Sequence, residues 1–409
     1  MRRRIVILGG AGAMGRITAR DLARTGGARV EVVIADRDRP AERIPGVKAV
    51  SLDVTDRASL GRALTGAWAT IAALPYRFNL LAMEGALAAG AHYLDLGGLF
   101  HMTRRQLARA GEFERRGLMA ILGIGSAPGI LNVLAARAAR DLESVTEVHC
   151  LVGARDRTRY VEAPPLGFGY SVDTLLDEFA LPSAVFRQGR FEMVPALDPG
   201  ERASVRFPAP VGRLDVDTTL HSEVATLPLH FKARGIREVT FRQGFDPTFA
   251  ERLGFLVRLG LADGGAPPPR GGASSKARPA PDGAAPAPRD VLLRLIDRLP
   301  KPVLRGRPER FEVLRIIVRG RRRGRAVVVT GDCVVGPRAG GGVGPDIDTG
   351  APPSIAVQLM LAGEIALRPG VWAPEQVIPP EPFVRELERR GMRVSQRVAA
   401  RTRRNKVAR

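Results

Sequence analysis

Cysteine is nearly missing from this 409-residue chain, with only Cys150 and Cys333 present. Two thiols so far apart make neither a disulfide framework nor a zinc-binding spacing, which points to a reducing, cytoplasmic setting. No cluster of His, Cys, Asp and Glu has metal-ligand spacing, so no metal site is expected. Lysine is scarce as well, and the formal charge of +21 is carried almost wholly by arginine. Alanine, glycine and proline are abundant beside it, so the charge reads as coding bias spread over a surface. Aromatic residues make up 5% of the chain. They do not interleave with the basic runs Arg319–Arg325 and Arg397–Arg409, so a base-stacking surface is not indicated and no nucleic-acid partner is expected. Long apolar runs are lacking too. Gly117–Ala136 is uncharged, but it contains Ser126-Ala127-Pro128-Gly129 and Asn132 and reads as strand, turn and helix start, not as a membrane span. Met1-Arg2-Arg3-Arg4 imitates a signal peptide, yet glycines interrupt the apolar stretch after a few residues. No membrane partner is expected.

What is present is organised around Arg4-Ile5-Val6-Ile7-Leu8-Gly9-Gly10-Ala11-Gly12-Ala13-Met14-Gly15. An apolar strand runs into Gly10-x-Gly12-x-x-Gly15, and a helix-like segment follows. In such a turn Gly10 permits the tight bend and Gly12 lets a pyrophosphate approach the backbone. Gly15 lets the helix pack on the strand, and the helix N-terminus, with Ala13 and Met14, offers N–H groups to phosphate. A second strand, Val30–Ala35, ends in Asp36 about twenty residues on, where a ribose hydroxyl acceptor belongs. Asp36 would repel a 2′-phosphate and favours NAD. Arg37 beside it could receive that phosphate, so NADP stays possible.

Residues 1–125 alternate short apolar runs with helical patterns, the signature of parallel βα units. Strands are expected at Ile5–Leu8, Val30–Ala35, Ala49–Leu52, Ala69–Ala73, His92–Leu94 and Ala120–Leu122. Helices are expected at Ser59–Leu64, Leu80–Ala89 and Arg104–Arg116. Ligands bind beyond the carboxyl ends of such strands. Four more cofactor candidates lie there: Asp53 (an adenine contact or a local cap), Leu74 and Pro75 (beneath the nicotinamide half), and Asn79 (a ribose contact or a helix cap). At Gly129–Ile130 a new helix start would suit a substrate carboxylate.

Residues 126–345 read as a second, mixed-sheet α/β domain for substrate binding. Strands are expected at Val145–Val152, Leu214–Ala225 and Glu238–Phe245. A helix is expected over Tyr170–Phe179, and a hairpin turning at Gln188-Gly189. Residues 262–290, rich in proline, alanine and glycine, cannot form a core and read as a mobile insertion. A helix resumes over Val291–Leu299, a hairpin spans Phe311–Thr330, and helices cover 348–367 and Phe383–Gly391. Residues 396–409 read as a basic, disordered tail. The fold class is therefore α/β: a Rossmann-type doubly wound parallel sheet plus a second α/β domain.

Four residues are candidates for chemistry. His221 is either a general acid or base near neutral pH or a satisfied structural histidine. Tyr93 is either a proton carrier, needing cations to lower its pKa, or a core tyrosine. Glu223 could hold a substrate amino group. Arg242 could clamp a carboxylate, or be one more surface arginine.

The N-terminal fingerprint, Ala91-His92-Tyr93-Leu94-Asp95-Leu96, Ala127-Pro128-Gly129-Ile130-Leu131-Asn132 and Asp348–Leu361 together resemble the saccharopine dehydrogenase (saccharopine reductase) family. The resemblance implies a nicotinamide-dependent oxidoreductase acting on a C–N bond of a small amino-acid substrate, and a homodimer. It also implies a C-terminal segment, 346–395, that returns to complete the first domain. Saccharopine reductases tend to carry Asp-Pro-Gly where this chain has Ala127-Pro128-Gly129, which is closer to the lysine 6-dehydrogenase branch. Two other functions fit the same motifs: reductive condensation of an amine with a carbonyl compound, as in carboxynorspermidine formation, and non-catalytic dinucleotide sensing.

Overall fold

The computed structural model describes residues 2–38, 40, 42–264, 286–300, 302–337 and 346–400. Six strands arise from the N-terminal apolar runs: β1 Arg3–Leu8, β2 Val30–Asp36, β3 Val47–Ser51, β4 Ala69–Ala72, β5 His92–Asp95 and β6 Met119–Ile121. They lie in one parallel sheet in the order β6-β5-β4-β1-β2-β3, and a seventh strand, Gly370–Trp372, extends it beside β6. Strands β1 and β4 are buried on both faces by helices, as a parallel sheet requires, and so read as continuous apolar runs. The order reverses between β1 and β4, which opens the crevice at their carboxyl ends.

Helices Asp346–Gly350 and Pro352–Leu361 pack back on this domain. Gly350 lies so close that an added Cβ would sit 2.5 Å from Ile17, and the Thr18 hydroxyl donates to its carbonyl at 2.7 Å. Arg390, at the end of helix Pro380–Arg389, is buried against Asp21, with Nη2 2.7 Å from Oδ2.

Among the described residues the second sheet has nine strands, and it is mixed. At its centre Ser144–Asp156 lies between Glu238–Gln243, its parallel partner, and Arg310–Arg322, its antiparallel one. Three helices, Val172–Ala180, Pro247–Arg258 and Pro288–Asp297, form a separate apolar cluster through Leu175, Phe179, Leu253 and Leu292.

Several boundaries differ from expectation. The Arg104–Arg116 helix starts at Leu99 and divides into Leu99–Leu107 and Ala110–Arg115. The expected strand over Leu214–Ala225 stops at Thr218, and Glu223 begins a helix; Val216 in the one and Val224 and Ala225 in the other are all buried, so composition alone could not separate them. The helix expected at Val291 begins at Pro288, proline being favoured in a first turn. Of the expected insertion, 265–285 lie outside the described residues. The expected tail is corrected: Arg393–Ala400 forms an edge strand antiparallel to Arg325–Val335. Seven of its eight residues are exposed, so no buried face in the sequence marks a strand there. Residues 401–409 lie outside the described residues. Among the described residues, no helix is long and apolar enough to cross a membrane.

Candidate active site

The glycine turn divides its work differently from the expected scheme. The left-handed residue is Gly9, at φ +75°, where a Cβ would stand 2.4 Å from the Ala73 carbonyl oxygen. Gly10 lies under Ile34, at 2.4 Å from that side chain, and Gly15 under Gly9 O at 2.3 Å. Both are glycines because the sheet and the helix crowd them. Gly12 is different. It is exposed, its hypothetical Cβ is no nearer than 3.2 Å to any other group, and it starts helix Ala13–Thr25 with no side-chain cap. The Ala13 and Met14 amides thus stand at an uncapped, solvent-facing helix N-terminus. This is a cradle a phosphate pair fits and a side chain would fill. Asp36 is fixed at its rim: Oδ2 accepts from the Ala11 amide at 2.8 Å, and Oδ1 from the Asp38 amide at 3.2 Å. Arg37 beside it is exposed. Leu74 and Pro75, half-buried, follow β4, with Leu74 against Gly9.

Two cofactor candidates are engaged elsewhere. Asp53 accepts from the Thr55 amide at 2.9 Å and hydroxyl at 2.6 Å. Its carboxyl is held below the usual range, chiefly by the hydroxyl, so the local turn is what it serves. The Asn79 side chain does not cap a helix. Buried, it donates to Gly97 O at 3.0 Å and to Asp95 at 3.3 Å. The helix start at Gly129–Ile130 is also closed as a carboxylate site, because the Gly129 amide is taken by Asn132 Oδ1 at 3.0 Å and the Ile130 amide by Gly125 O at 3.0 Å.

Asp95, at the end of β5, holds these turns together. Its Oδ1 accepts from the amides of Gly123, at 2.6 Å, and Gly97, at 3.0 Å. Its Oδ2 accepts from Gln106 at 2.6 Å and Tyr93 Oη at 3.0 Å. Burial raises its pKa, and the donors oppose that rise. Tyr93 is fully buried, and burial first, then the Asp95 charge, pushes its phenol well above the ordinary range. Tyr93 is thereby a core residue positioning Asp95, and the proton-carrier reading is corrected.

The second domain meets the β5 turn through Ser222, whose Oγ accepts from Thr103 Oγ1 at 3.0 Å and from the Gly98 amide at 3.4 Å. His221 and Glu223 flank it. His221 is buried and stacks on Phe241, with centroids 3.7 Å apart and planes at 4°. Its Nδ1–H donates to the Glu223 carboxylate, leaving Nε2 as the nitrogen that can exchange a proton. Burial alone would lower the His221 pKa, but the charge and hydrogen bond of Glu223 and the charge of Glu178 outweigh it, and the net direction is upward. Glu178 is fully buried, which raises it to about 7 against the opposing pull of His221 and of Tyr170 Oη, its donor at 2.5 Å. Gln243 Nε2 lies 3.4 Å from that same hydroxyl. Arg242 is not part of this group. It follows Phe241 in a strand, so its side chain leaves by the other face, where it meets Glu201 O and Thr240 Oγ1, each at 2.9 Å.

Further residues lie at or beside the contact between the two domains that the sequence did not single out. Tyr76 Oη, just past β4, donates to Asp177 at 2.6 Å. His101 meets the Tyr76 ring edge-on at 5.5 Å. Arg289 Nη1 donates to Asp177 at 2.6 Å and Nε to Asp173 at 3.1 Å, while Arg77 also pairs with Asp173. On the returning segment Thr349 Oγ1 lies 2.9 Å from Ser126 Oγ, and the adjacent Asp348 is buried beside Glu312, whose pKa is raised to about 7 by burial. Asp177 and Glu178 looked like ordinary polar positions of an amphipathic helix. A pair of adjacent acids near its end was the only signal available. Two surface concavities, of about 710 and 390 Å³, lie away from this cleft.

A strand-end cradle with an acid at its rim, faced by a second domain that supplies a paired histidine, defines a Rossmann-type dinucleotide-binding protein of two domains. Residues 5–121 match the saccharopine dehydrogenase NADP binding domain, and residues 125–392 the saccharopine dehydrogenase C-terminal domain. The chain belongs to the saccharopine dehydrogenase family and is a nicotinamide-dinucleotide oxidoreductase. Its fold is similar to that of saccharopine dehydrogenase (L-Glu forming) from Saccharomyces cerevisiae, with TM-score 0.70 and 18% identity over 97% of this chain and 100% of that one. Uronate dehydrogenase from Agrobacterium tumefaciens is similar over 24% of this chain and 41% of its own, at 18% identity and TM-score 0.20. A Rossmann-fold NAD(P)-binding family protein from Shigella flexneri is similar over 30% and 66%, at 17% identity and TM-score 0.25.

Proposed function

We propose that this chain oxidises the carbon bearing an amine of an amino acid, in the manner of lysine 6-dehydrogenase, with NAD favoured over NADP. The observation that carries the reading is the His221–Glu223 pair, set beside buried Glu178 where Ser222 touches the β5 turn. In a chain of net charge +21, the buried ionisable groups around His221 are acids, which suits a cationic amine. The bound nicotinamide supplies the hydride acceptor. His221 Nε2 takes the proton the amine must lose, and Glu223 holds the resulting imidazolium in place. Water then hydrolyses the iminium. The balance is R2CH–NH3+ plus oxidised cofactor and water, giving R2C=O, reduced cofactor, NH4+ and one H+. Holding the reacting groups in place supplies about 7–11 kcal/mol in well-oriented systems.

The test is a panel of amino acids followed by reduced-cofactor absorbance with ammonia measured in parallel. Ammonia formed in step with reduced cofactor is expected. Reduced cofactor without ammonia would point to the condensing reaction running in reverse. Dinucleotide binding with no turnover across the panel would leave a sensor. His221→Asn is expected to lower kcat about 10²–10⁴-fold, the range for a general base, with little change in dinucleotide affinity.

A further inference from the structure

A dinucleotide laid over this sheet has a direction. With Asp36 as the ribose acceptor at the end of β2 and the helix start at Gly12–Met14 as the phosphate site, the nicotinamide end lies beyond the point where the strand order reverses, over the carboxyl ends of β4, β5 and β6. One pair of side chains stands on that side with hydrogen-bonding capacity to spare. Ser126 lies in the turn after β6, and Thr349 lies 223 residues on, in the returning helix Asp346–Gly350. Both are half-buried. Ser126 Oγ and Thr349 Oγ1 are 2.9 Å apart, and either can donate. Among the described residues no other hydrogen bond reaches either oxygen.

Contacts on both sides place this pair. A Cβ at Gly350 would stand 3.3 Å from Met14 O, and Thr18 Oγ1, which lies 3.1 Å from Met14 O, donates to Gly350 O at 2.7 Å. On the other side, a Cβ at Gly125 would stand 3.4 Å from Thr349 Cγ2 and 3.6 Å from Leu96 O. Thr349 thus spans from the first turn of the phosphate-facing helix to the turns that follow β5 and β6. Its chemistry with Ser126 is specific too. Two hydroxyls joined by one hydrogen bond keep one O–H and three lone pairs, whichever of them donates. A carboxamide has the matching demand, with a C=O to accept and an NH2 to donate. An anion fits worse. Asp348, next in the chain, is buried beside Glu312. Burial raises the pKa of both, and the charge of Asp346 adds to the rise, so an anionic ligand would bring one more like charge into an acidic corner.

We propose that the hydroxyl pair of Ser126 and Thr349 binds the carboxamide of the nicotinamide and so fixes the orientation of the ring. One hydroxyl belongs to the turn by which the chain leaves the first domain, and the other to the segment that comes back, so the site is complete only after the return. Holding the carboxamide stops rotation of the ring about its bond to ribose, which decides the face of C4 offered to the second domain. Neither hydroxyl exchanges a proton with the amine. The role concerns the cofactor alone and is independent of which amine is oxidised.

The test compares each cofactor with the same molecule lacking the ring: NAD with ADP-ribose, and NADP with 2′-phospho-ADP-ribose. Each is titrated calorimetrically into the parent, Ser126→Ala, Thr349→Val and Thr349→Ser. For whichever cofactor binds more tightly, Ser126→Ala and Thr349→Val are expected to weaken the nicotinamide form about threefold to tenfold, the effect of one lost hydrogen bond. The form without the ring is expected to stay within about twofold of the parent. Thr349→Ser keeps the hydroxyl and is expected to bind both forms as the parent does. A loss shared equally by the two forms would overturn the proposal, because the pair would then only fasten the returning segment. So would unchanged binding of both forms in both variants. The parent alone supplies a second measurement should a variant not fold. The 3-acetylpyridine analogue of the cofactor carries CH3 in place of NH2, and the parent is expected to bind it about threefold or more weakly than the natural form. An analogue bound as tightly as the natural cofactor would defeat the assignment, as would a gap that persists undiminished in both Ser126→Ala and Thr349→Val.

Discussion

At the scale of single residues, the site is a set of buried acids whose protonation is set by neighbours. Glu178 has no exposed surface and a pKa raised to about 7 from 4.5. Between those values the folded chain holds the proton that the unfolded chain has lost. Stability therefore falls as pH rises through that window and stays lower above it. Glu178→Gln removes the effect. The variant is expected to be more stable than the parent at pH 8, by on the order of 1–3 kcal/mol, and closer to it at pH 5. Urea denaturation at the two pH values measures this, and an equal difference at both would show that the carboxyl does not titrate with folding. The role proposed for Asp36 rests on its charge instead. Asp36→Ala is expected to cost about tenfold or more in kcat/KM with NAD and less with NADP, roughly 1.4 kcal/mol of discrimination. Equal losses with the two cofactors would remove the acid from cofactor choice.

At the scale of elements, the glycine turn separates packing from binding. A Cβ at Gly10 meets Ile34 at 2.4 Å, whereas at Gly12 its one near neighbour is the Gly9 carbonyl oxygen at 3.2 Å, a tight contact that a small shift relieves. Gly10→Ala is thus expected to destabilise the fold by about 1–3 kcal/mol through overpacking. Gly12→Ala is expected to leave stability within about 0.5 kcal/mol and to weaken dinucleotide binding tenfold or more. Thermal denaturation and calorimetric titration of both variants separate the two roles. The same contrast explains what could be read from residues alone. The fingerprint, Asp36 and the six parallel strands are encoded locally, in runs whose periodicity and turn chemistry do not depend on distant partners. His221 and Glu223 were legible as polar residues in an apolar stretch. Asn79, Tyr93 and Asp53 were misplaced or left open because what each binds is settled by neighbours the sequence does not order: Gly97, Asp95 and a hydroxyl two residues away. Arg242 fell to strand alternation, since Phe241 takes the face toward His221 and Arg242 the opposite one. Tyr76 meets Asp177 only after two domains close on each other, and Arg289 reaches Asp177 from more than a hundred residues away.

At the scale of the whole molecule, the chain crosses between its two sheets more than once. It leaves the first domain after β6, builds most of the second sheet, returns to add strand Gly370–Trp372, and crosses again to the second sheet at Arg393–Ala400. Buried Arg390, bound to Asp21 through Nε and Nη2, fastens that return. Arg390→Met leaves the Asp21 carboxylate buried with little but exposed Arg24 beside it, and is expected to cost about 3–5 kcal/mol. Replacing both, with Asp21→Leu, should recover much of the loss, as read by chemical denaturation. The double crossing has a consequence for any attempt to divide the protein. A fragment cut after residue 125 would lose its outermost strand and the two helices that cover Ile17, baring β6 as a sticky margin. Its complement would carry Gly370–Trp372 with nothing to pair against. Neither piece is a self-sufficient module, so the halves can only be regained by mixing them and letting each supply what the other lacks.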